Sequence, residues 1–368
     1  MNSSVAGQLL SKVMGWTDFR LAEERPWIEF IANMKYDAYD QYMPGTRFIA
    51  SLVQWLSQFE EISERQIVYD FVKKQLVFIS STQIFYLVKL LYTTKIRPEI
   101  RRRVAEEKNV SPFFIGKIES TEDYEAHIRK SLIVGLSDGA HIDILRRSAG
   151  LNNDQVLTNY YPNEDKLTDM LKELKNDPIA EKQTEIQFSS LFLIDDFTAS
   201  GMSFIRKEGN NYKGKIKKVI DQLQNDQSLG MLFDNSVPIQ ICIFFCIATT
   251  DALTYLNDEI QKYLIDNNYI MHYDIKVDAV QIIDTSISSE IREMYELCEI
   301  ARKYFKDEDE VLTKSYRKGK HTNPYLGFNE CALPIVLSHN TPNNSLPILW
   351  QYTTNFKGLF PRVNRHIQ

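Results

Sequence analysis

The sequence predicts an α/β protein in which an all-helical N-terminal domain precedes a domain built on a parallel sheet. Residues 17–110 show helical periodicity with no strand pattern. From residue 125 onward, short apolar runs alternate with amphipathic segments, which is typical of strands and helices in a parallel sheet. Polar and acidic residues come after the apolar runs, at the strand ends where such sheets bind ligands. We therefore expect a helical domain over 1–125 and a sheet-containing domain over 126–368.

The N-terminal domain has one clear helix start, the capping box from Ser63 to Gln66, which precedes an apolar-periodic stretch. It also contains the consecutive arginines 101–103. These arginines can contact a phosphate or a nucleic acid, but Glu106 and Glu107 lie one helical turn later, which favours a solvated helix face. We interpret this domain as one for packing, dimerisation or partner docking.

In the sheet-containing domain, the alternation of apolar runs and helical patterns predicts helices on the faces of the sheet. The predicted strands are 131–136, 189–195, 238–248 and 277–284. The predicted helices lie near 141–148, 164–175, 201–208, 215–225, 251–266 and 288–305.

The most informative stretch runs from Leu191 to Arg206 and reads LFLIDDFTASGMSFIR. A four-residue apolar strand pattern ends in two adjacent carboxylates, Asp195 and Asp196, and a turn of small and hydroxyl residues then opens a predicted helix. Vicinal carboxylates can hold two ribose hydroxyls or a Mg²⁺ ion, and free N–H groups at a helix start bind phosphate. The pattern therefore predicts a site for a sugar that carries a 5-phosphate.

Two other interpretations compete with this site. A Walker B strand also ends in acidic residues, but the near match to its phosphate loop, from Gly209 to Ile216, lies downstream and is preceded by no strand. It also has Ile216 where a Ser or Thr would bind Mg²⁺. A plain buried strand with an acidic helix cap explains Asp196 but leaves the hydroxyl-rich turn unexplained.

The stretch resembles the signature with which type I phosphoribosyltransferases bind phosphoribosyl pyrophosphate (PRPP). The resemblance implies a phosphoribosyltransferase-like fold in which Asp195 and Asp196 are catalytic, bind the ribose and hold Mg²⁺. Some members carry a catalytic Asp where this chain has Ala199, so that general base is absent here. We expect Gly201 to let the backbone approach the phosphate. The implied substrate-binding loop for the 5-phosphate consists of Thr198, Ala199, Ser200, Gly201, Met202 and Ser203.

A pyrophosphate loop comes after an earlier strand in this family, and here the run 131–136 leads into Ser137, Asp138 and Gly139. The resemblance implies that these three residues bind substrate and that a cis peptide lies beside Ser137. Asp138 departs from the family, because a carboxylate facing pyrophosphate is unfavourable unless Mg²⁺ or an arginine offsets it. The next candidate, His141, can donate a proton, but a histidine in the first turn of a helix is the simpler interpretation.

Two further segments carry candidate residues. Residues 149–187 are polar and correspond to the mobile hood of the family, with Lys166 as a candidate cation. Near the C-terminus, Asn343, Asn344 and Trp350 lie in a loop rich in Pro and Asn, where amides can read a base edge and the indole can stack on it. The alternative is a structural turn with a buried Trp. This loop, the helical N-terminus and the acidic pair together resemble phosphoribosyltransferase-like proteins of bacterial conflict and antiphage systems.

The charge, the cysteine spacing and the length of the apolar runs disfavour several classes of function. The net charge of −6 disfavours direct binding of nucleic acid or an anionic membrane. The four cysteines have no zinc-site spacing, and no apolar run reaches eighteen residues. With no secretory signal in the sequence, we expect a cytoplasmic protein.

The function that we expect from the sequence is a Mg²⁺-dependent phosphoribosyltransferase, or a nucleotide-cleaving relative, that binds PRPP or a nucleotide and acts as an antiphage effector. Catalysis would rest on positioning and electrostatics. One alternative is a non-catalytic nucleotide sensor, which Asp138 and Ala199 favour. Another is an adaptor that binds a protein of a defence system. The sequence leaves open whether the chain forms homo-oligomers.

Overall fold

A computed structural model describes residues 3–181, 186–234, 236–306 and 322–362. The chain forms two compact units. The helical unit comprises Met1–Gln83 and Thr285–Gln368, and the sheet unit comprises Ile84–Asp284. This division differs from the predicted boundary at residue 125, because residues 84–125 belong to the sheet unit and residues from 285 onward belong to the helical unit.

The helices account for most of the regular structure. They are α1 Ser3–Met14, α2 Asp18–Met34, α3 Phe48–Leu56, α4 Ile62–Lys74, α5 Ser81–Leu91, α6 Arg97–Glu107, α7 Ile115–Glu119, α8 Glu122–Arg129, α9 Ile142–Ala149, α10 Glu164–Lys175, α11 Pro178–Glu181, α12 Lys215–Leu223, α13 Thr250–Asp266, α14 Ser286–Glu293, α15 Tyr295–Tyr304 and α16 Pro347–Trp350. The strands are β1 Val77–Ile79, β2 Ser131–Gly135, β3 Val156–Leu157, β4 Ser190–Thr198, β5 Arg206–Glu208, β6 Asn211–Lys213, β7 Ile239–Thr249, β8 Tyr273–Ile283 and β9 Ile335–Leu337.

The sheet unit is built on a five-stranded parallel sheet with the order β3-β2-β4-β7-β8. The apolar runs that predicted its strands are buried, and every residue of β2 and β7 is inaccessible to solvent or nearly so. This burial on both faces is why the strands read as continuous apolar runs. The predicted α/β fold with a parallel sheet is therefore confirmed.

The helical unit packs α1 to α4, α15 and the C-terminal segment around one aromatic-rich core, which includes Phe48, Trp55 and Phe360. A capping box begins α4, but it is formed by Glu61 and Glu64 and not by the predicted Ser63 and Gln66. The N-terminal region is helical as expected, apart from β1, which pairs in parallel with β9.

Two predicted helices differ in the structure. The segment 201–208 is a turn that leads into the antiparallel hairpin β5–β6, not a helix. The predicted helix at 288–305 is divided at Met294 into α14 and α15. The first difference matters for function, since a hairpin after the hydroxyl-rich turn sends the chain back toward the end of β4.

Candidate functional site

The register of the sheet brings the two predicted loops together. Gly135 at the end of β2 pairs with Ile194 in β4, so the residues just beyond β2 lie beside Asp195, which is still within β4. The Ser137 hydroxyl donates a hydrogen bond to Asp195 Oδ1. The loop predicted for pyrophosphate and the acidic pair therefore form one site at the carboxyl ends of the strands, as parallel sheets favour.

Asp195 is buried, with 1% of its surface exposed. Its Oδ2 accepts a 2.6 Å bond from Lys215 Nζ, and its Oδ1 also accepts the N–H of Asp196 at 3.1 Å. Burial raises the pKa of the Asp195 carboxyl and the neighbouring Asp196 raises it further, whereas Lys215 and Ser137 oppose the rise. The charge of this buried acid is therefore offset by Lys215 and not by solvent.

Lys215 is the site residue that sequence reasoning missed. It lies twenty residues after Asp195 and begins α12, directly after the β5–β6 hairpin. The predicted helix at 201–208 would have carried the chain away from the strand end. A signal was present in the loop from Gly209 to Ile216, whose two glycines enclose a polar segment typical of a hairpin.

Asp196 points to the other side of β4 and approaches the backbone of Gly139. A Cβ atom placed on Gly139 would lie 2.7 Å from Asp196 Oδ2, closer than side chains tolerate. Asp196 is also buried, with 8% of its surface exposed. Gly139 therefore makes room for the carboxylate of Asp196, a role different from the predicted approach to a ligand.

The hydroxyl-rich turn after β4 is held by hydrogen bonds with two threonine side chains, one at the end of β4 and one at the end of β7. Thr198 Oγ1 accepts the N–H of Gly201 at 3.2 Å, and the Thr249 hydroxyl donates to the carbonyl of Ala199 at 2.6 Å. Within the described ranges, the N–H groups of Met202 and Ser203 have no hydrogen-bond acceptor. Two adjacent free N–H groups suit a phosphate oxygen.

The phosphate-binding potential of this turn does not come from a helix start. The next helix, α12, begins only at Lys215, and its first N–H groups are already bonded. The backbone N–H of Lys215 donates to the carbonyl of Ser203 at 3.3 Å, and the backbone N–H of Ile216 donates to the carbonyl of Phe204 at 2.9 Å. The first two N–H groups of α12 are therefore not available to a phosphate.

Gly201 has a left-handed backbone conformation, with φ of +71°. A Cβ atom at this position would lie 2.7 Å from Tyr255 and 2.9 Å from Leu256, both on α13. The absent side chain would point into the fold, and the approach of the Gly201 backbone to a ligand phosphate stays a prediction. Gly201 is required for packing.

The loop after β2 forms a short 3₁₀ turn, Asp138–Ala140. Asp138 is exposed there, and the peptide bonds of the described residues are all trans, so the expected cis peptide is not formed. His141 adopts a left-handed conformation with φ of +47°, and its ring packs edge-on against Phe85 at 5.1 Å. The packing favours the structural interpretation of His141.

The hood segment contains one partly buried tyrosine and the predicted lysine. Burial raises the pKa of Tyr160, and Tyr161 and the Asp195 carboxylate add to this rise. Lys166, on α10, lines a cleft of about 500 Å³ together with Arg129. Because Arg129 precedes the first residue of β2, this cleft lies at the opposite edge of the sheet.

The C-terminal candidates belong to the helical unit and hold its turns. The indole of Trp350 is buried and donates to the carbonyl of Ser345 at 2.8 Å. Asn344 Nδ2 donates to the carbonyl of Phe328 at 3.0 Å, and the N–H of Phe328 donates to the carbonyl of Asn343 at 2.7 Å. These contacts favour the structural turn, and substrate binding by these residues stays a prediction.

The three consecutive arginines are engaged within the sheet unit. Arg101 pairs with Glu119 at 3.0 Å, Arg102 pairs with two glutamates, and Arg103 donates to the carbonyl of Ser189 at 3.2 Å. The side chains thus stabilise α6 and the neighbouring sheet. No helix in the described part of the chain combines the length and apolar character needed to cross a membrane.

Comparison with known proteins gives one match. The model of a family described as PRTase-CE matches residues 52–362, which is most of the chain and includes both loops of the site. No match was found among curated proteins or among solved structures.

Proposed function

Because the chain belongs to the PRTase-CE family, we propose that it is a phosphoribosyltransferase-like protein that binds a ribose carrying a 5-phosphate, as PRPP or as a nucleotide. One observation carries the proposal. The loop after β2 and the turn after β4 meet at the carboxyl edge of the sheet, where Ser137 bonds to Asp195. An acidic pair and a turn with free N–H groups thus share one site.

The two halves of the site suit the two ends of such a ligand. Asp195 and Asp196 can accept hydrogen bonds from the ribose hydroxyls, because carboxylates accept from O–H donors and form short, strong bonds with them. The free N–H groups of Met202 and Ser203, with the Ser203 hydroxyl, can hold the 5-phosphate. The sugar would then lie across the end of β4.

The chemistry that this geometry supports is group transfer at the ribose C1 carbon. The bond from C1 to pyrophosphate or to a base breaks, its electron pair leaves with that group, and a lone pair of the acceptor forms the new bond to C1. Since Ala199 supplies no general base, catalysis would depend on orientation and on carboxylates that stabilise positive charge at the ribosyl carbon. We propose that Mg²⁺, which the family resemblance implies, accompanies the pyrophosphate where the ligand is PRPP.

A non-catalytic nucleotide sensor is the second candidate, and Asp138 favours it. This carboxylate is exposed in the loop that would hold pyrophosphate, where it repels a second phosphate group. A sensor needs only the half of the site that binds the sugar monophosphate. From the resemblance to conflict-system proteins, we further propose a role in antiphage defence with a protein partner, either as an effector or as an adaptor.

The proposal is tested by calorimetry with PRPP, ribose 5-phosphate and nucleoside monophosphates, with and without Mg²⁺. Binding with turnover of PRPP or a nucleotide supports the enzyme, and binding without turnover supports the sensor. We expect Asp196→Asn to weaken binding by about tenfold or more, the loss of one charge-assisted hydrogen bond. A matched control replaces the vicinal acids at the start of α8, as Glu122→Gln with Asp123→Asn, and should bind like the parent. Equal affinity of Asp196→Asn and the parent would show that the site is elsewhere.

Gly139→Ala tests the same carboxylate from the opposite loop. The new methyl group must displace Asp196 Oδ2, which would otherwise lie 2.7 Å away, while the backbone of residue 139 needs no left-handed conformation. We expect sugar-phosphate affinity to fall by about tenfold, with the free energy of unfolding lowered by only about 1 kcal/mol. Gly116→Ala, where a Cβ would meet nothing within 4 Å, is the control for calorimetry and thermal melting. Unchanged affinity in folded Gly139→Ala would argue against a role for Asp196.

A further inference from the structure

The β5–β6 hairpin returns the chain to the end of β4. Gly214 closes this return with a φ of +126°, and a side chain there would overlap the backbone of Phe204. Ile216 then donates its N–H to the carbonyl of Phe204 at 2.9 Å. Hydrogen bonding and close packing therefore fix the base of the hairpin, and Lys215, between Gly214 and Ile216, lies beside the acidic pair.

That residue, Lys215, is positioned by two contacts. Its ammonium group lies 2.6 Å from Asp195 Oδ2 and 4.6 Å from the centre of the Phe204 ring. The side chain is 26% exposed, whereas that of Asp195 is 2% exposed. A cation held between a carboxylate and an aromatic face makes a stronger interaction than a freely solvated surface pair.

The contacts of Asp195 do not fit a divalent metal bound to this carboxylate. One oxygen accepts the Lys215 bond, and the other accepts the hydroxyl of Ser137 and the N–H of Asp196. Mg²⁺ requires near-octahedral oxygen ligands and would have to displace these donors. Across the described ranges, no three His, Cys, Asp or Glu side chains are grouped as a metal site.

We infer that Lys215 replaces a protein-bound divalent cation at Asp195, so that the site binds a sugar monophosphate without metal. Lys215 is a positioning residue in this inference. Its positive charge favours the ionised form of Asp195, and its bond to Oδ2 fixes the carboxylate that the proposed function directs toward the ribose hydroxyls. The identity of the ligand rests on the proposed function, but the occupancy of Asp195 by Lys215 does not.

The test uses Mn²⁺ as the probe and electron paramagnetic resonance as the readout, on the full chain without any sugar. The parent should bind no Mn²⁺ that Asp195→Asn removes. Lys215→Met should bind one Mn²⁺ ion per chain, with an affinity at least about tenfold above that of the parent for Mn²⁺. The reason is that the freed carboxylate of Asp195 joins Asp196 as a ligand pair. Adding Asp195→Asn to Lys215→Met should abolish the gain.

Two control variants separate charge from general disruption. Lys217→Met removes a lysine two residues away that pairs with Asp221, and should leave Mn²⁺ binding unchanged. Lys215→Arg keeps the charge and should also gain no site. The inference is overturned if the parent holds a Mn²⁺ ion that Asp195→Asn releases, or if folded Lys215→Met gains none. Should Lys215→Met not fold, the comparison of the parent with Asp195→Asn still decides.

A second measurement addresses the ligand. Binding of ribose 5-phosphate or a nucleoside monophosphate to the parent should be the same in EDTA and in Mg²⁺. Monophosphate binding that disappears in EDTA would contradict the inference. If no sugar phosphate binds under either condition, the proposed function fails, while the Mn²⁺ titration still reports on Lys215.

Discussion

Replacement of Gly201 by alanine is expected to lower the free energy of unfolding by about 3 kcal/mol. Two costs add at this position. A left-handed φ of +71° is unfavourable for a residue with a Cβ atom, and that atom would lie 2.7 Å from Tyr255 and 2.9 Å from Leu256. The carbonyl of Ala252, at 3.2 Å, belongs to the backbone of α13 and cannot move independently. Urea unfolding monitored by far-ultraviolet circular dichroism measures the loss.

Gly209→Ala is the matched control for this prediction. Gly209 has a similar φ of +62°, but a Cβ atom there would meet nothing within 4 Å. Its substitution should cost only the backbone strain, about 1 kcal/mol. The difference between the two variants then isolates the packing of the turn against α13. Equal losses in both variants would show that Gly201 serves backbone conformation alone.

Replacement of Glu99 by alanine is expected to lower the free energy of unfolding by about 3 kcal/mol, the scale for breaking a buried ion pair. Glu99 is 3% exposed and accepts bonds from Arg102, from Lys276 at 2.8 Å and from Gln240 at 3.3 Å. It thereby joins α6 to β7 and β8 of the sheet. Alanine would leave the buried amide of Gln240 without this acceptor, which adds to the loss.

Glu106→Ala provides the control, because Glu106 pairs with the same Arg102 but its side chain is 61% exposed. Its loss should lower the free energy of unfolding by less than about 0.5 kcal/mol.

The contribution of Glu99 to stability should also depend on pH. Burial opposes ionisation of Glu99, yet Arg102 and Lys276 outweigh it and lower its pKa. Its stabilisation is thus present above the pKa of the unfolded chain, and the parent should lose its advantage over Glu99→Ala as the pH falls below about 4. Similar losses for Glu99→Ala and Glu106→Ala at neutral pH would contradict the prediction.

The parallel sheet could be predicted because each of its buried strands is marked by a local sequence pattern. Each strand that is buried on both faces must be an apolar run, and the runs that became β2, β4 and β7 stand out in the sequence for that reason. The acidic pair could be placed on the same basis. Asp195 and Asp196 directly follow the apolar run of β4, and the carboxyl ends of parallel strands share one edge of the sheet. The register of β2 with β4 then decided that Ser137 meets Asp195, which still lies within β4.

The residues of the turn that we propose to bind phosphate were identified from the sequence, but the structure that follows the turn was not. Periodicity cannot distinguish a short helix from a short hairpin over eight residues, and 201–208 satisfied both patterns. The hairpin was selected by contacts distant in sequence. Its residue Tyr212 is buried in the core of the sheet unit, with its ring packed against Tyr263 of α13 at 4.9 Å. Lys215 lies beside Asp195 because of this long-range packing, which local propensity does not specify.

The sequence on its own determined the fold class, the places of the main strands along the chain and the position of the acidic pair after an apolar run, because these depend on the hydrophobic pattern. Tertiary structure alone decided which groups face the acids. Lys215 beside Asp195 and Gly139 against Asp196 arise from the return of a hairpin and from the register of β2 with β4. The burial of Trp350 and the joining of residues 285–368 to the N-terminal helices are likewise long-range packing outcomes. Such contacts are set by the free energy of burying apolar surface in the whole unit, which no local pattern encodes.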